Sequence, residues 1–437
     1  MGPFMISSVN VALPTIQHEL AMTAVELGWV ATSYLLAMAV GLIPAGKIAD
    51  IHGRKKVFSI GLLIYTIGST AAVIAGNTVV FLALRVVQGL GAALFVTTGM
   101  AILTSVFPPH KRGRAIGVYV SAVYLGLSVG PFIGGVMTQQ FGWRSIFAVM
   151  FPLGAMSIVV TRVFLKGEWA DEESHRLDVP GCLIYATAIV ALVYGASILP
   201  GATGCILVPV GILGLVLFFL QQRRALDPVF EVTLFLENRT FTFSSLAALL
   251  NYSATFAVTF MMSLYLQYIK GMTPQAAGSI LMAQPVVMAL FSPLAGRLSD
   301  RIQPRLLATA GMSITTVGMV VFTQLAASSS ISFITGNLIL LGLGFALFSS
   351  PNMSAIMGAV DKKDYGLASG TVATMRLLGQ MTSMAIATVV LTYFVGHHVI
   401  EPANYDRFMA SVQMVFSVSA VLCTVGIYFS MFRGRLR

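Results

Sequence analysis

Continuous runs of apolar residues, broken by short polar turns, fill this chain of 437 residues. Fourteen runs can be drawn, near 3–16, 28–50, 57–76, 79–106, 115–138, 144–165, 179–199, 203–222, 241–268, 275–297, 305–326, 331–357, 367–396 and 409–432. Within each run the apolar residues follow one another instead of alternating with polar ones, and lipid offers no partner for an open strand edge. The runs therefore predict helices long enough to cross a bilayer. The first run is the exception. About 14 apolar or small residues precede Gln17-His18-Glu19, or roughly 21 Å of helix against a hydrocarbon core of about 30 Å. Either its start lies upstream or the span is short. The expected fold class is an all-α polytopic membrane protein with 14 spans.

Composition agrees with the pattern. Hydrophobic residues make up 57% and charged residues 10% of the chain, against roughly 45–50% and 25% in soluble domains. With mean hydropathy at +0.87, such a chain has too little polar surface to wrap itself in water. Its net charge of +10 must then be read by location. One set of turns holds Lys47, Arg54 to Lys56, Lys111, Arg112, Arg114, Arg162, Lys166, Arg176, Arg223, Arg224, Arg239, Arg297, Arg301, Arg305, Lys362 and Lys363, and the tail adds Arg433, Arg435 and Arg437. The opposite set holds only Arg144, Lys270 and Arg407. So uneven a split predicts an even number of spans, both termini cytoplasmic, and a place in the cell membrane. It also accounts for the basic charge without a nucleic-acid partner. Cys182, Cys205 and Cys423 lie scattered in apolar segments without metal-ligand spacing, so neither a metal nor another cofactor is expected.

The turn after the second run, Gly46-Lys-Ile-Ala-Asp50-Ile-His-Gly53-Arg54-Lys55-Lys56, holds four cations and one carboxylate between two membrane-length helices. Gly46 and Gly53 allow two helix ends to approach and turn sharply. Asp50 ends a helix, so it is placed to meet a neighbouring helix N-terminus or the arginine four residues on. The pattern returns as Gly296-Arg-Leu-Ser-Asp300-Arg301-Ile-Gln-Pro304-Arg305. Two six-span bundles, each with this turn after its second helix, are the trace of a parallel repeat. Their spacing exceeds six spans by one hairpin. The predicted division is residues 1–165 for the first bundle, 166–240 for a linker with a two-span insert, and 241–437 for the second bundle.

Two further motifs bear on mechanism. Arg85, several residues into the fourth run, shares a helix face with Gln88 and Ala92. An arginine inside the membrane costs a few kcal/mol, so it is expected to face a wet or paired interior. In the fifth run, Gly126-Leu-Ser-Val-Gly130-Pro131-Phe-Ile-Gly134-Gly135 combines a smooth glycine face for close helix approach with a proline that bends the helix.

In this order and spacing the motifs resemble the major facilitator superfamily, and the element Gly126 to Gly135 resembles the antiporter motif of its drug:proton antiporters. Ser8-Val9-Asn10-Val11-Ala12-Leu13-Pro14 and Leu177-Asp178-Val179-Pro180-Gly181 are similar to segments of the fourteen-span drug:proton antiporter branch. Tyr265-Leu-Gln267, and Gly366 to Gly370 with Arg376, agree. The resemblance implies two six-helix bundles plus the insert. It further implies a conformational latch at Gly46, Asp50, Gly53 and Arg54, with an echo at Gly296, Asp300 and Arg301. Arg85 and Gln88 would handle protons or substrate, and Gly126 to Gly135 would shape the interface between the bundles. The chain departs from the branch in its first span, where Phe4-Met5-Ile6-Ser7 lacks the usual acid. Among all 16 acids none lies near a span centre, which leaves Asp50 as the candidate for proton coupling.

Asn10, Asn251, Gln284, Asn352, Arg376 and Gln380, polar residues within spans, are candidates to line a cavity whose methionine- and phenylalanine-rich walls would suit apolar ligands. The expected function is proton-coupled export of apolar or cationic small molecules by alternating access, as a monomer in the bilayer. A carrier of an organic anion or weak acid, held by Arg85, is the alternative, and a non-transporting membrane sensor is a third reading. No nucleophile or nucleotide constellation points to an enzyme.

Overall fold

The computed structural model describes residues 1–107, 109–169, 177–199, 201–225, 232–299, 301–360, 365–396 and 398–434. They form helices α1 (Gly2–Leu20), α2 (Ala24–His52), α3 (Arg54–Ala72), α4 (Thr78–Val106), α5 (Pro109–Phe141), α6 (Arg144–Ala148), α7 (Met150–Phe164), α8 (Val179–Ser197) and α9 (Ala202–Gln222). After these come α10 (Val232–Glu237), α11 (Arg239–Thr255), α12 (Ala257–Leu264), α13 (Pro274–Leu281), α14 (Ala283–Ser299), α15 (Pro304–Thr323), α16 (Ile331–Gly358), α17 (Tyr365–Phe394) and α18 (Tyr405–Phe432). Helices α6 and α7 run on from one another, as do α13 and α14. A π-helical turn at Tyr265–Ile269 extends α12.

Among the described residues, 12 stretches are long and apolar enough to cross a membrane. The expected count of fourteen is corrected at α1 and α3. Both are helices in the bundle, but α1 carries Ser7, Ser8, Asn10 and Gln17 on buried faces, and α3 opens on Arg54-Lys55-Lys56. A helix enclosed by others need not be lipophilic all round, which is why α1 can hold so many polar side chains.

Helices α1 to α7 pack on one another, chiefly α3 on α4, α4 on α2 and α1 on α5; α11 to α18 form a second group through α15 on α16, α14 on α16 and α11 on α17 and α18. The α8–α9 hairpin rests on both groups. Tyr185 donates to the Ala39 carbonyl of α2 at 3.3 Å, and Thr392 of α17 donates to the Ser197 carbonyl at 3.4 Å. Asp178 closes the hairpin. It accepts from the Gly181 N–H at 3.0 Å, from Gln221 at 3.0 Å and from Gln222 at 2.6 Å. Burial works to raise its pKa, but these three donors prevail and hold the carboxyl below the usual range.

The bundle has two unlike ends. One, here the basic end, carries Arg54, Lys55 and Lys56. At the outer end, opposite, Glu19 accepts from the Trp143 indole at 2.6 Å and pairs with Arg144. Arg144 also donates to the carbonyls of Val73 at 2.8 Å and Ala75 at 3.0 Å. One arginine thus gathers the ends of α1, α3 and α6. Burial raises the Glu19 pKa, but the hydrogen bonds and charge of its partners outweigh it and leave the carboxyl below its ordinary value.

Candidate functional site: the seam between the helix groups and its polar anchors

Several hydrogen bonds join the two groups toward the outer end. Ser263 donates to the Asn10 carbonyl at 2.6 Å and Gln267 to the Val11 carbonyl at 2.9 Å, while Tyr268 hydrogen-bonds to Gln17. The Ala24 N–H reaches the His398 carbonyl at 2.9 Å. Pro14 has no N–H for the Asn10 carbonyl four residues back, and helix α1 meets α12 through its backbone carbonyls. An outer groove of about 330 Å³ remains beside it, lined by Thr15, His18, Gln267 and Tyr268.

Helix α5 supplies the closest approach, because its glycine face has no side chains to hold neighbours away. On one side it meets α1: Ser8 donates to the Gly130 carbonyl at 2.9 Å. A Cβ added at Gly126 would lie 3.4 Å from the Phe4 nitrogen, and one at Gly134 only 2.6 Å from Ser8 Cα. At Gly130 it would run into Ser7. On the other side α5 meets α13: a Cβ at Gly135 would lie 2.5 Å from the Pro274 carbonyl oxygen, and one at Gly278 would strike the Pro131 carbonyl. The residues from Gly126 to Gly135 therefore join α1, within one group, to α13 of the other.

At the basic end Asp50 meets the arginine four residues on. Arg54 Nε and a terminal nitrogen each lie 2.9 Å from Asp50 Oδ1, and Arg54 donates to Ser105 of α4 at 2.8 Å. The pair ties α2, α3 and α4 of a single group, so it does not bridge the two groups in this conformation. Gly53 has φ of 100°, where a side chain would be strained, and its missing Cβ leaves room for Glu168. Glu168 accepts from the Lys55 N–H at 2.7 Å, and the Arg54 N–H bonds to the Trp169 carbonyl at 2.8 Å. That docking of the following linker was not visible in the sequence. Gly46 faces Thr97 at an ordinary distance and Gly296 faces Ser350. Arg301 is exposed. Asp300 lies outside the described residues.

Arg85 is 1% exposed, which places it in the interior. It donates to the Val30 carbonyl at 2.9 Å and to Gln88 Oε1 at 2.6 Å, and lies 4.6 Å from the centre of the Tyr34 ring. These neutral partners, with a cation–π contact of about 2 kcal/mol when desolvated, replace a carboxylate, and none is paired with Arg85 among the described residues. Gln88 Nε2 and both amide atoms of Asn251 are buried without a partner. Polar atoms so placed are unusual in a packed protein and mark positions where water or a ligand can be received.

The remaining cavity candidates divide. Arg376, half-buried, reaches Tyr252, which also contacts Ser349. The Ser349 hydroxyl lies 3.3 Å from that of Tyr124. This polar cluster joins α5 to α11, α16 and α17 nearer the basic end. Asn352 is placed elsewhere: it binds the Ser244 carbonyl and Arg433, and belongs to a cluster at the basic end. Gln284 is buried in α14 and Gln380 half-buried in α17. Asn10 contributes its backbone carbonyl to the outer seam. Tyr34, Tyr252 and Ser349 had no signal in the sequence, since each becomes informative only through a residue on another helix.

Three comparisons bear on this geometry. The family model described as Major Facilitator Superfamily matches residues 1–235 and 244–436. The chain is 29% identical over 433 residues to riboflavin transporter RibZ of Clostridioides difficile (strain 630), covering 98% of this chain and 93% of that protein. It is 33% identical over 403 residues to multidrug resistance protein Stp of Mycobacterium tuberculosis (strain CDC 1551 / Oshkosh), covering 90% and 74%. In fold it resembles a bacterial homologue of the human lysosomal transporter Spinster, solved in an inward-facing, unoccupied conformation, with a TM-score of 0.66, 17% identity, and 99% and 94% of the two chains covered.

Proposed function

We propose that this chain, which belongs to the Major Facilitator Superfamily, exports apolar or cationic small molecules in exchange for protons by alternating access. Membership makes it a multi-pass membrane transporter and not an enzyme; the substrate, the exchange and the direction are our reading. The observation that carries it is the glycine face of α5, where backbone meets the backbone of α13 without intervening side chains. Such a surface can separate and re-form without repacking a core, as rocking of one bundle against another requires. In this reading the substrate enters from the basic end. We take that end as cytoplasmic from its lysines and arginines, and the membrane as the cell membrane. The relatives support the substrate class: one is named a multidrug resistance protein.

In this reading residues 1–165 and 241–437 are the moving bundles, 166–240 carries the hairpin, and a single copy suffices. Asp50 and Arg54 form the latch. Protonation of Asp50 would remove the charge that holds Arg54 beside Ser105, freeing the ends of α2 and α4. Arg85 and Gln88 sense the charge of what enters. A second reading, transport of an organic anion or weak acid, is favoured by Arg85 and Arg376. Both are cations within the helical bundle, with no carboxylate partner among the described residues.

Purified protein in proteoliposomes, given ethidium, riboflavin and an aromatic carboxylate in turn under an imposed pH gradient, separates these readings. Export predicts ethidium movement against the proton flow that stops when the gradient is collapsed. Movement of the carboxylate alone would favour the second reading, and movement of none would count against both.

A further inference from the structure

Counting charges along the sequence treats Arg433 as one of several tail cations, yet the structure buries it. It is 1% exposed at the end of α18. Its terminal nitrogens donate to Asn352 Oδ1 at 2.6 Å, Ser244 Oγ at 3.2 Å, the Pro304 carbonyl at 3.3 Å and Ser430 Oγ at 3.4 Å. Every partner is neutral, and Nε has none. Arg305, in the first turn of α15, likewise has a buried Nε without a partner.

Both arginines line one pocket of about 50 Å³, together with Thr240, Gln303 and Gly434. By that measure the pocket is roomy enough for a small oxyanion group. The N-terminus of the 20-residue helix α15 opens beside it, with no side chain capping its first N–H groups. These groups add partial positive charge to two full ones. Burial, and then the like charge of Arg305, draw the Arg433 pKa down to about 10. Two cations and a helix N-terminus facing one small cavity, with no carboxylate paired to either arginine among the described residues, lack the counter-charge that such an arrangement calls for.

We propose that this pocket binds a phosphate group, either free phosphate or the headgroup of an anionic phospholipid in the adjoining leaflet, and that its occupancy clamps the basic ends of α11, α15, α16 and α18 together. Arg433 is the buried anchor, already holding α11 and α16 through Ser244 and Asn352. Arg305, at the half-buried rim, completes the fork. Planar guanidinium donors match phosphate oxygens in pairs, and a lysine at either position would not reproduce that. The site is independent of the transported substrate, because its residues lie at the bundle's end and away from the seam between the groups.

The test uses the full chain in phosphatidylcholine nanodiscs, with unfolding temperature as the readout. One arm titrates inorganic phosphate against chloride at constant ionic strength. The other replaces phosphatidylcholine stepwise with phosphatidylglycerol in phosphate-free buffer. Wild type should show a saturable rise in one arm or both: the phosphate arm alone identifies the free anion, the lipid arm alone the headgroup, and both together the shared group. Arg305→Gln leaves every hydrogen bond of Arg433 in place, so it should fold while moving the half-saturation point about tenfold or more. Arg433→Gln should abolish the rise. Should the second variant fail to fold, Arg305→Gln still decides. No saturable rise in either arm, or an unchanged midpoint in Arg305→Gln, would overturn the proposal.

Discussion

Replacing Gly135 by alanine places one methyl group in the seam between α5 and α13. Its Cβ would sit 2.5 Å from the Pro274 carbonyl oxygen and 3.0 Å from Gln275 Cα, where comfortable contacts of this kind begin near 3.5 Å. Neither atom belongs to a flexible side chain, so the helices must part by close to 1 Å. Overpacking of this kind costs about 1–3 kcal/mol. Alanine also favours the helix over glycine by about 1 kcal/mol, but α5 is helical whether the seam is closed or open, so that gain cancels. The conformation with the α5–α13 seam closed should therefore lose about 1–3 kcal/mol against the separated one, a shift of about 5- to 150-fold. Gly134→Ala is the control. Its Cβ would lie 2.6 Å from Ser8 Cα, a clash within one helix group that persists in both conformations and should lower overall stability without moving the equilibrium. The assay is labelling of Thr15→Cys, in the outer groove, by an impermeant maleimide in sealed vesicles, with Cys182, Cys205 and Cys423 replaced. Labelling should quicken in Gly135→Ala and stay level in Gly134→Ala. Equal rates in Gly135→Ala and the parent, or equal acceleration in both variants, would refute the reasoning.

Asp50→Asn should abolish transport while shifting the unfolding temperature little, because the partly exposed pair with Arg54 is worth about 0–1 kcal/mol to stability; flux and thermal unfolding on one preparation check both halves of the statement. Arg85→Ala should leave ethidium binding nearly intact and alter the pH dependence of flux, whereas for an anionic substrate it should abolish binding and Arg85→Lys should restore a part, as equilibrium binding to both variants would reveal. Asp178 has a folded pKa below its unfolded value, so its contribution to stability is complete above the unfolded pKa near 4 and is lost as pH falls through the lower folded value. Thermal unfolding followed from about pH 5 to pH 2 should accordingly show a smaller acid loss in Asp178→Asn than in wild type.

The apolar runs made the helical architecture legible because lipid allows few alternatives to a helix. What they hid was where helices break. Alpha11 and α12 divide at Phe256 without a proline, and the Ala257 N–H is taken up by Ser383 of α17 at 3.0 Å, a partner 126 residues away. Hydropathy also counted α1 and α3 as spans, whereas α1 turns Ser7, Ser8, Asn10 and Gln17 into the bundle and α3 opens on three cations. The Asp50–Arg54 pair was readable because it is local, four residues apart on one turn. Glu168 under Gly53, Tyr34 against Arg85 and Tyr252 against Arg376 were not, since each depends on which helices become neighbours. Arg433 shows the same limit from the other side. In the sequence it was a tail charge, and only the packing of α11, α15 and α16 around it makes it an internal one.

The central claim is that transport requires the α5–α13 seam to open and close. Gln139 of α5 and Gln275 of α13 meet at its outer edge, where the Gln275 N–H lies 3.4 Å from Gln139 Oε1. Cysteines at these two positions, in a chain without its native cysteines, can be bridged by a short cleavable bis-thiol reagent after reconstitution. Ethidium flux in the bridged protein should fall to the level of empty liposomes and return when the bridge is cleaved, with either single cysteine unaffected. Flux that continues undiminished through a complete bridge would contradict the account.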